Sequence, residues 1–400
     1  MAQAQMYLGV DVGKTAHYAV AVDVHGTVVH QQAVMNEEAA LRDLVRWARE
    51  HQAALIVDQP GGAAALLLRL CWDAPVPIAY LHGLAMARAR DFYAGEAKTD
   101  PKDAFVLADV ARAHPSRLVW LTETSEARAQ LELLCGYDAD LRADTNRLTN
   151  RLRALLATHW PAVERSLGER LASHGLLVLL QQHPDPAAWP QVGSRRLSQL
   201  LTAQRVHRPE RLVEHILAAA QSQTVTVPGA ETAARLVGEL ARQLDQVLQR
   251  RDQLEGEIEH AFFALPEAAI LRSLPGIGPR LGARILVEIG DIRRFPSPAH
   301  LAAYAGLGPT PRQSGTSIKG NVPSRFGNHR LKNALFLAAF ASLRHPPSRS
   351  YYDRKRAGGK QHNQAVLCLA RRRVDVLHAM LSRGTHYQAP PRPIELPTAA

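Results

Sequence analysis

The chain has 400 residues, 46% of them hydrophobic, with 48 Lys and Arg against 37 Asp and Glu, for a formal net charge of +11. That length and apolar content supply cores for two or three domains, and the positive excess points to a polyanionic partner, most simply nucleic acid. No stretch approaches the roughly 20 apolar residues of a membrane span, and the N-terminus has no signal-peptide pattern. Cys71, Cys135 and Cys368 are odd in number and lack metal-ligand spacing, so a reduced, cytoplasmic protein without zinc is expected.

In chain order, the apolar run Met6 to Val10 ends at Asp11, and the alternating run His17 to Val22 follows beyond Gly13, which predicts a β-hairpin. A third strand over Thr27–Val34 follows the turn His25-Gly26. Next come a helix (Glu37–Glu50), a strand (Ala54–Asp58) stopped by Pro60-Gly61-Gly62, a helix (Ala63–Trp72), a strand (Pro77–Leu81) and further helices. An antiparallel meander followed by alternating helices and strands is the order of a ribonuclease-H-like α/β fold. Asp100 and Asp103 open a helical stretch (Ala104–Ala113), and their i, i+3 spacing puts both carboxylates on one face.

Asp11, Asp58, Asp100 and Asp103 thus stand at strand ends or a helix start, where a divalent cation is their natural partner. Taken singly, Asp11 reads equally as a turn cap and Asp100 as a helix N-cap before Pro101. Gly9-Val10-Asp11-Val12-Gly13-Lys14-Thr15 is also similar to the first phosphate loop of actin-like ATPases, but no second copy follows. A P-loop would need glycine where Leu8 stands.

From about 126 to 157 the chain reads as helix, with Leu134, Leu141, Leu148, Leu152 and Leu155 on a roughly seven-residue seam. Val237, Leu240, Leu244, Val247, Leu254 and Ile258 form a second seam in Ala233–Phe263, where Arg251 takes one position. Such helices form a coiled coil within or between chains, or serve as ordinary bundle helices. Between them, about 158–230 is a helical insertion broken at Pro184, Pro186 and Pro190.

Leu274-Pro275-Gly276-Ile277-Gly278-Pro279, leading into the helix Leu281–Ile289, has the signature of a helix-hairpin-helix. Amides at Gly276 and Gly278 could hold a phosphate, or the segment is a plain turn between packed helices. Beyond it the chain is strongly basic: Arg312, Lys319, Arg325, Arg330, Lys332, Arg344, Arg349, Arg354, Lys355, Arg356, Lys360 and Arg371-Arg372-Arg373 would track phosphates. Within this stretch, Arg312 to Gly320 reads as a hydroxyl-rich loop containing Ser314, ahead of a helix over about Arg330–Leu343. The tail Ala389–Ala400 is expected to be disordered.

Five motifs, Tyr7 to Asp11, Val57 to Gly61, Lys98 to Ala104, Leu274 to Gly278 and Arg312 to Gly315, stand in an order that resembles the DEDD-type transposases of bacterial insertion sequences, the RNA-guided bridge recombinases. The resemblance covers nearly the whole chain and is weakest over about 158–230. It implies a RuvC-like nuclease domain (1–125), a coiled-coil and helical region (126–265), a mainly helical transposase domain (266–388) and the tail (389–400). It carries the metal-binding acids onto Asp11, Asp58, Asp100 and Asp103, the cofactor being Mg²⁺ with Mn²⁺ as the alternative, and a nucleophilic serine onto Ser314. The family's second acid is usually glutamate, and Asp58 stands there instead. The resemblance further implies donor and target DNA, a noncoding guide RNA, a dimer or tetramer formed through the coiled coil, and nucleoid association during activity. A junction-cutting metal nuclease without serine chemistry and a non-catalytic nucleic-acid-binding protein are the rivals.

Overall fold

Alternation along Met6–Asp11 (β1) sends Leu8 and Val10 to one face of a sheet and Tyr7 to the other. In the computed structural model, which describes residues 5–93, 99–314, 318–323 and 327–389, the chain divides into a unit of residues 1–125 and a unit of residues 126–400. The first continues with Ala16–Asp23 (β2), Val28–Met35 (β3), Glu38–Glu50 (α1), Ala53–Val57 (β4), Ala65–Asp73 (α2), Ile78–Tyr80 (β5), Gly83–Arg90 (α3), Asp100–Ala113 (α4) and Val119–Trp120 (β6). The sheet order is β3-β2-β1-β4-β5-β6. Strands β1, β2 and β3 form an antiparallel meander, β4 and β5 run parallel to β1, and β6 closes the far edge antiparallel to β5. This is the ribonuclease-H-like arrangement expected from the sequence.

Every residue of β4 is buried, because helices cover both faces of the sheet. Helices α1 and α2 pack on the face bearing Leu8, Val10, Leu55 and Val57. Helices α3 and α4 pack on the face bearing Tyr7, Ala54 and Ile56. Gly9 permits this second contact, since a Cβ there would lie 2.1 Å from the Ala104 carbonyl oxygen of α4. A strand residue without a side chain is what brings the helix carrying Asp103 onto the strand carrying Asp11.

The second unit starts with the 34-residue helix Glu126–His159 (α5). Five short helices follow: Pro161–Leu167 (α6), His174–Gln182 (α7), Trp189–Val192 (α8), Ser194–Ala203 (α9) and Pro209–Gln221 (α10). Ala230–Phe263 (α11), again 34 residues, returns alongside α5. The pair is antiparallel: Arg251 of α11 reaches Asp138 of α5, while Gly229, just before α11, approaches His159 at the end of α5. Of the expected seam positions, Leu141, Leu152, Val237, Leu244, Leu254 and Ile258 are buried, so the seams meet within one chain.

Glu267–Ser273 (α12), Pro279–Ile289 (α13), Pro298–Tyr304 (α14), strands Pro309–Ser314 (β7) and Ile318–Pro323 (β8), and helices His329–Ala341 (α15), Pro346–Ala357 (α16) and His362–Arg383 (α17) complete the unit. Residues Leu131, Leu254 and Ile258 of the long helices share one core with Leu271, Ile285, Leu331 and Leu377. The opposite ends, through Leu152, Leu156 and Val237, share another with Trp189, Leu197 and Ile216 of the insertion.

Two expectations need correction. Arg312–Ser314 and Ile318–Gly320 lie in antiparallel strands rather than in a loop, with Arg312 opposite Gly320 and Ser314 opposite Ile318. Arg373, expected to track phosphate, is 8% exposed and donates to the Pro275 carbonyl instead, and burial lowers its pKa to about 10. Helical phase explains the second, since Arg373 lies on the same inward face of α17 as Leu369, Ala370 and Leu377. Arg325, and the tail beyond Ala389, lie outside the described residues. Among the described residues, no helix is long and apolar enough to cross a membrane.

Candidate active site

The register of β1 on β4 pairs Val10 with Val57, so the next residues, Asp11 and Asp58, emerge side by side at the carboxyl ends of two parallel strands. Two cross-links join the loops there: the Val12 amide donates to Asp58 Oδ1 at 3.4 Å, and Gln59 Nε2 donates to the Val12 carbonyl at 3.1 Å. Helix α4 brings Asp103, 2% exposed, to the same strand ends through the Gly9 contact. Asp100, at the first position of α4 after the N-cap Thr99, is exposed at the mouth.

Burial, reinforced by Asp58, Asp103 and Asp100, raises the Asp11 carboxyl from 3.8 to about 6, and Arg90 partly offsets the effect. Asp58 is also raised, by burial first. The four aspartates therefore share one electrostatic neighbourhood. Among the described residues, however, no three His, Cys, Asp or Glu side chains are gathered closely enough to hold a metal ion.

Arg90, which sequence reasoning missed, donates to Asp103 Oδ2 at 2.6 Å from α3. Asp103 Oδ1 and Arg90 Nε are both buried without a hydrogen-bond partner among the described residues. The available signal for Arg90 was slight: a cation at the end of a short apolar helix just before the Asp100 segment.

Ser314 ends β7 in the second unit, and its neighbours Gly315, Thr316 and Ser317 lie outside the described residues. Lys319 is on β8 opposite Gln313, and Arg330 is exposed in the first turn of α15. The two hairpin glycines differ in what they face. Gly276, at φ +85°, is pressed against the backbone of α15 and of Ser342 just after it, where a Cβ would sit 2.4 Å from the Ala338 carbonyl oxygen; Gly278 faces open space.

The C-terminal basic residues assemble around an aromatic ring. Arg372 lies 4.8 Å, Arg354 5.2 Å and Lys355 5.4 Å from the Tyr351 ring centre, so α16 and α17 together present a cationic surface.

A family model described as transposase (DEDD_Tnp_IS110) matches residues 8–161, and one described as transposase of the IS116/IS110/IS902 family matches residues 268–353. The chain is 45% identical over 387 residues to the insertion element IS110 uncharacterized 43.6 kDa protein of Streptomyces coelicolor, covering 96% of each. It is 39% identical over 381 residues to the insertion element IS116 uncharacterized 44.8 kDa protein of Streptomyces clavuligerus, covering 94% of each. Among solved structures, it is similar to T. thermophilus RuvC in complex with Holliday junction substrate, at 15% identity and a TM-score of 0.25, over 29% of this chain and 99% of that one. The chain belongs to the IS116/IS110/IS902 transposase family.

Proposed function

We propose that this transposase cuts and rejoins DNA with an aspartate cluster that holds a divalent cation and with Ser314 as nucleophile. The observation that carries the reading is the pairing of Val10 with Val57, which sets Asp11 and Asp58 side by side at the strand ends near the buried Asp103, and this crowding raises the Asp11 carboxyl to about 6. Like charges gathered in a half-buried niche cost free energy, and a cation relieves that cost. The donors are hard carboxylate oxygens, with the buried Asp103 Oδ1 unpartnered, and this chemistry fits Mg²⁺ or Mn²⁺. Asp11, Asp58, Asp100 and Asp103 would hold the ion by closing on it from the wider spacing they have without it, with Asp58 in the place of the family's glutamate. When bound, it supplies Lewis-acid stabilisation of charge on phosphoryl oxygens.

The protein's own groups divide the remaining work. Arg90 keeps Asp103 oriented towards the strand ends. The Ser314 hydroxyl attacks phosphorus, forming a serine–phosphate bond as the bond to the departing deoxyribose oxygen breaks. The serine proton is lost and the departing oxygen gains one. Attack by a second DNA hydroxyl reverses these changes, so rejoining needs no external energy source. The Tyr351-centred cations and Arg330 bind strand phosphates. Target choice by a noncoding RNA, and assembly of a dimer or tetramer in which different protomers supply acids and serine, follow from the family resemblance.

The test is to incubate the full chain with Mg²⁺ and DNA carrying the insertion element's ends, denature it, and look for DNA linked to protein. The wild type is expected to give this adduct, and Ser314→Ala and Asp11→Asn to lose it. A Ser314→Ala chain that cuts and joins normally refutes the serine step and leaves a water-dependent junction nuclease. Sequencing the RNA that copurifies with the wild type tests the guide.

A further inference from the structure

In the second unit, one buried acid serves three arginines while a fourth is left over. Asp138 of α5, 3% exposed, accepts from Arg284 at 3.0 Å, Arg280 at 3.2 Å and Arg251 at 3.4 Å. Arg280 also reaches Glu255 at 2.9 Å. One helical turn beyond Asp138, Arg142 is partly buried and has no hydrogen bond or ion pair among the described residues. Burial, followed by Arg284, works against its charge; Asp138 favours it, and Arg251 and Arg280 oppose it again.

Arg142 and Arg284 face a cleft of about 380 Å³ between α5, α13 and the start of α15, which His329 and Arg330 also line. Glu132 and Glu288 are on its wall too; burial raises the Glu132 carboxyl, and the Asn328 side-chain amide donates to Glu288 at 2.7 Å. Asp138 attracts Arg142 but accepts its hydrogen bonds from the other three arginines, so the Arg142 guanidinium keeps its donors unused among the described residues. An unpaired guanidinium among like charges is unfavourable, and its planar fork matches the oxygens of a phosphate.

We propose that this cleft is a binding site for a nucleic-acid phosphodiester, with Arg142 as its main cation and Arg330 beside it. The proposal rests on the reading that nucleic acid is the partner. Of the groups already assigned to phosphate only Arg330 lines this cleft, and Arg142 adds a contact that neither the hairpin glycines nor the Tyr351 surface supplies. Asp138 fixes Arg284, which lines the cleft beside Arg142.

The experiment measures binding of the full chain to labelled duplex DNA and to labelled single-stranded RNA across a salt series, together with thermal melting with and without inorganic phosphate. Arg142→Ala is expected to melt no lower than wild type in the absence of ligand, because it removes a repelled charge. Its affinity for the strand that occupies the cleft should fall about tenfold, with the log–log salt slope shallower by about 0.9. Arg142→Lys should restore the slope while recovering only part of the affinity. Loss against DNA alone or RNA alone identifies the source of the phosphate. Unchanged affinity and slope in Arg142→Ala for both oligonucleotides would overturn the site while leaving nucleic-acid binding intact. A wild-type chain that binds neither would overturn the site and the reading beneath it. An effect confined to inorganic phosphate would also overturn the assignment.

Discussion

Replacing Asp11 with Asn should make the metal-free protein more stable while abolishing activity. The carboxyl titrates at 3.8 when free and at about 6 in the folded chain, because burial and then Asp58, Asp103 and Asp100 oppose its charge. Between those values the folded state binds more protons than the unfolded state, so stability falls as pH rises through this window, and the full penalty is present above about pH 6. The interval corresponds to on the order of 3 kcal/mol, reduced by solvent reaching the partly open site. Asn keeps the shape and removes the charge. Urea unfolding in EDTA should therefore show Asp11→Asn more stable by about 1–3 kcal/mol at about pH 8, with the gain vanishing near pH 3. Added Mg²⁺ should stabilise the wild type and do little for the variant. A variant less stable than wild type at about pH 8, or a gain equal at both pH values, would refute the argument that crowded carboxylates carry this cost.

The fold itself makes further predictions. Gly9→Ala places a Cβ 2.1 Å from the Ala104 oxygen and 2.6 Å from the Ala108 nitrogen. It should cost at least about 2 kcal/mol in urea unfolding and displace Asp103 enough to reduce cleavage. Gly276→Ala meets both a positive φ and the backbone of Ala338 and Ser342, and should lower stability by about 2–5 kcal/mol. Asp138→Asn leaves three arginines without their shared carboxylate, and a loss of about 3–5 kcal/mol is expected by denaturant titration.

The sheet was legible because its strands alternate cleanly or are wholly apolar, and because Gly13, His25-Gly26 and Pro60-Gly61-Gly62 mark where they stop. The neighbourhood of Asp11, Asp58 and Asp103 was legible from strand ends and helix phase alone. Arg90 was not, since its partner lies across the packing of α3 on α4, which no periodicity states. The long helices could be read as helices, but not their antiparallel pairing within one chain, because a seam does not state its partner. Arg251, conspicuous as a cation on an apolar seam, makes sense only beside Asp138. In the serine segment, the hydroxyl-rich composition argued for a loop, while cross-strand pairing of Arg312 with Gly320 made strands. Charge counting likewise treated Arg373 as surface, because composition carries no information about which face of α17 turns inward.

The paired long helices are also a ruler. At about 1.5 Å per residue, each spans on the order of 50 Å, with the insertion's core at one end and the core that contains α12, α13, α15 and α17 at the other. A rod pinned at both ends converts residue number into separation. The insertion's core is therefore held from the other core at a distance set by helix length, and removing seven residues from each helix would shorten that distance by about 10 Å while preserving the phase of the seam.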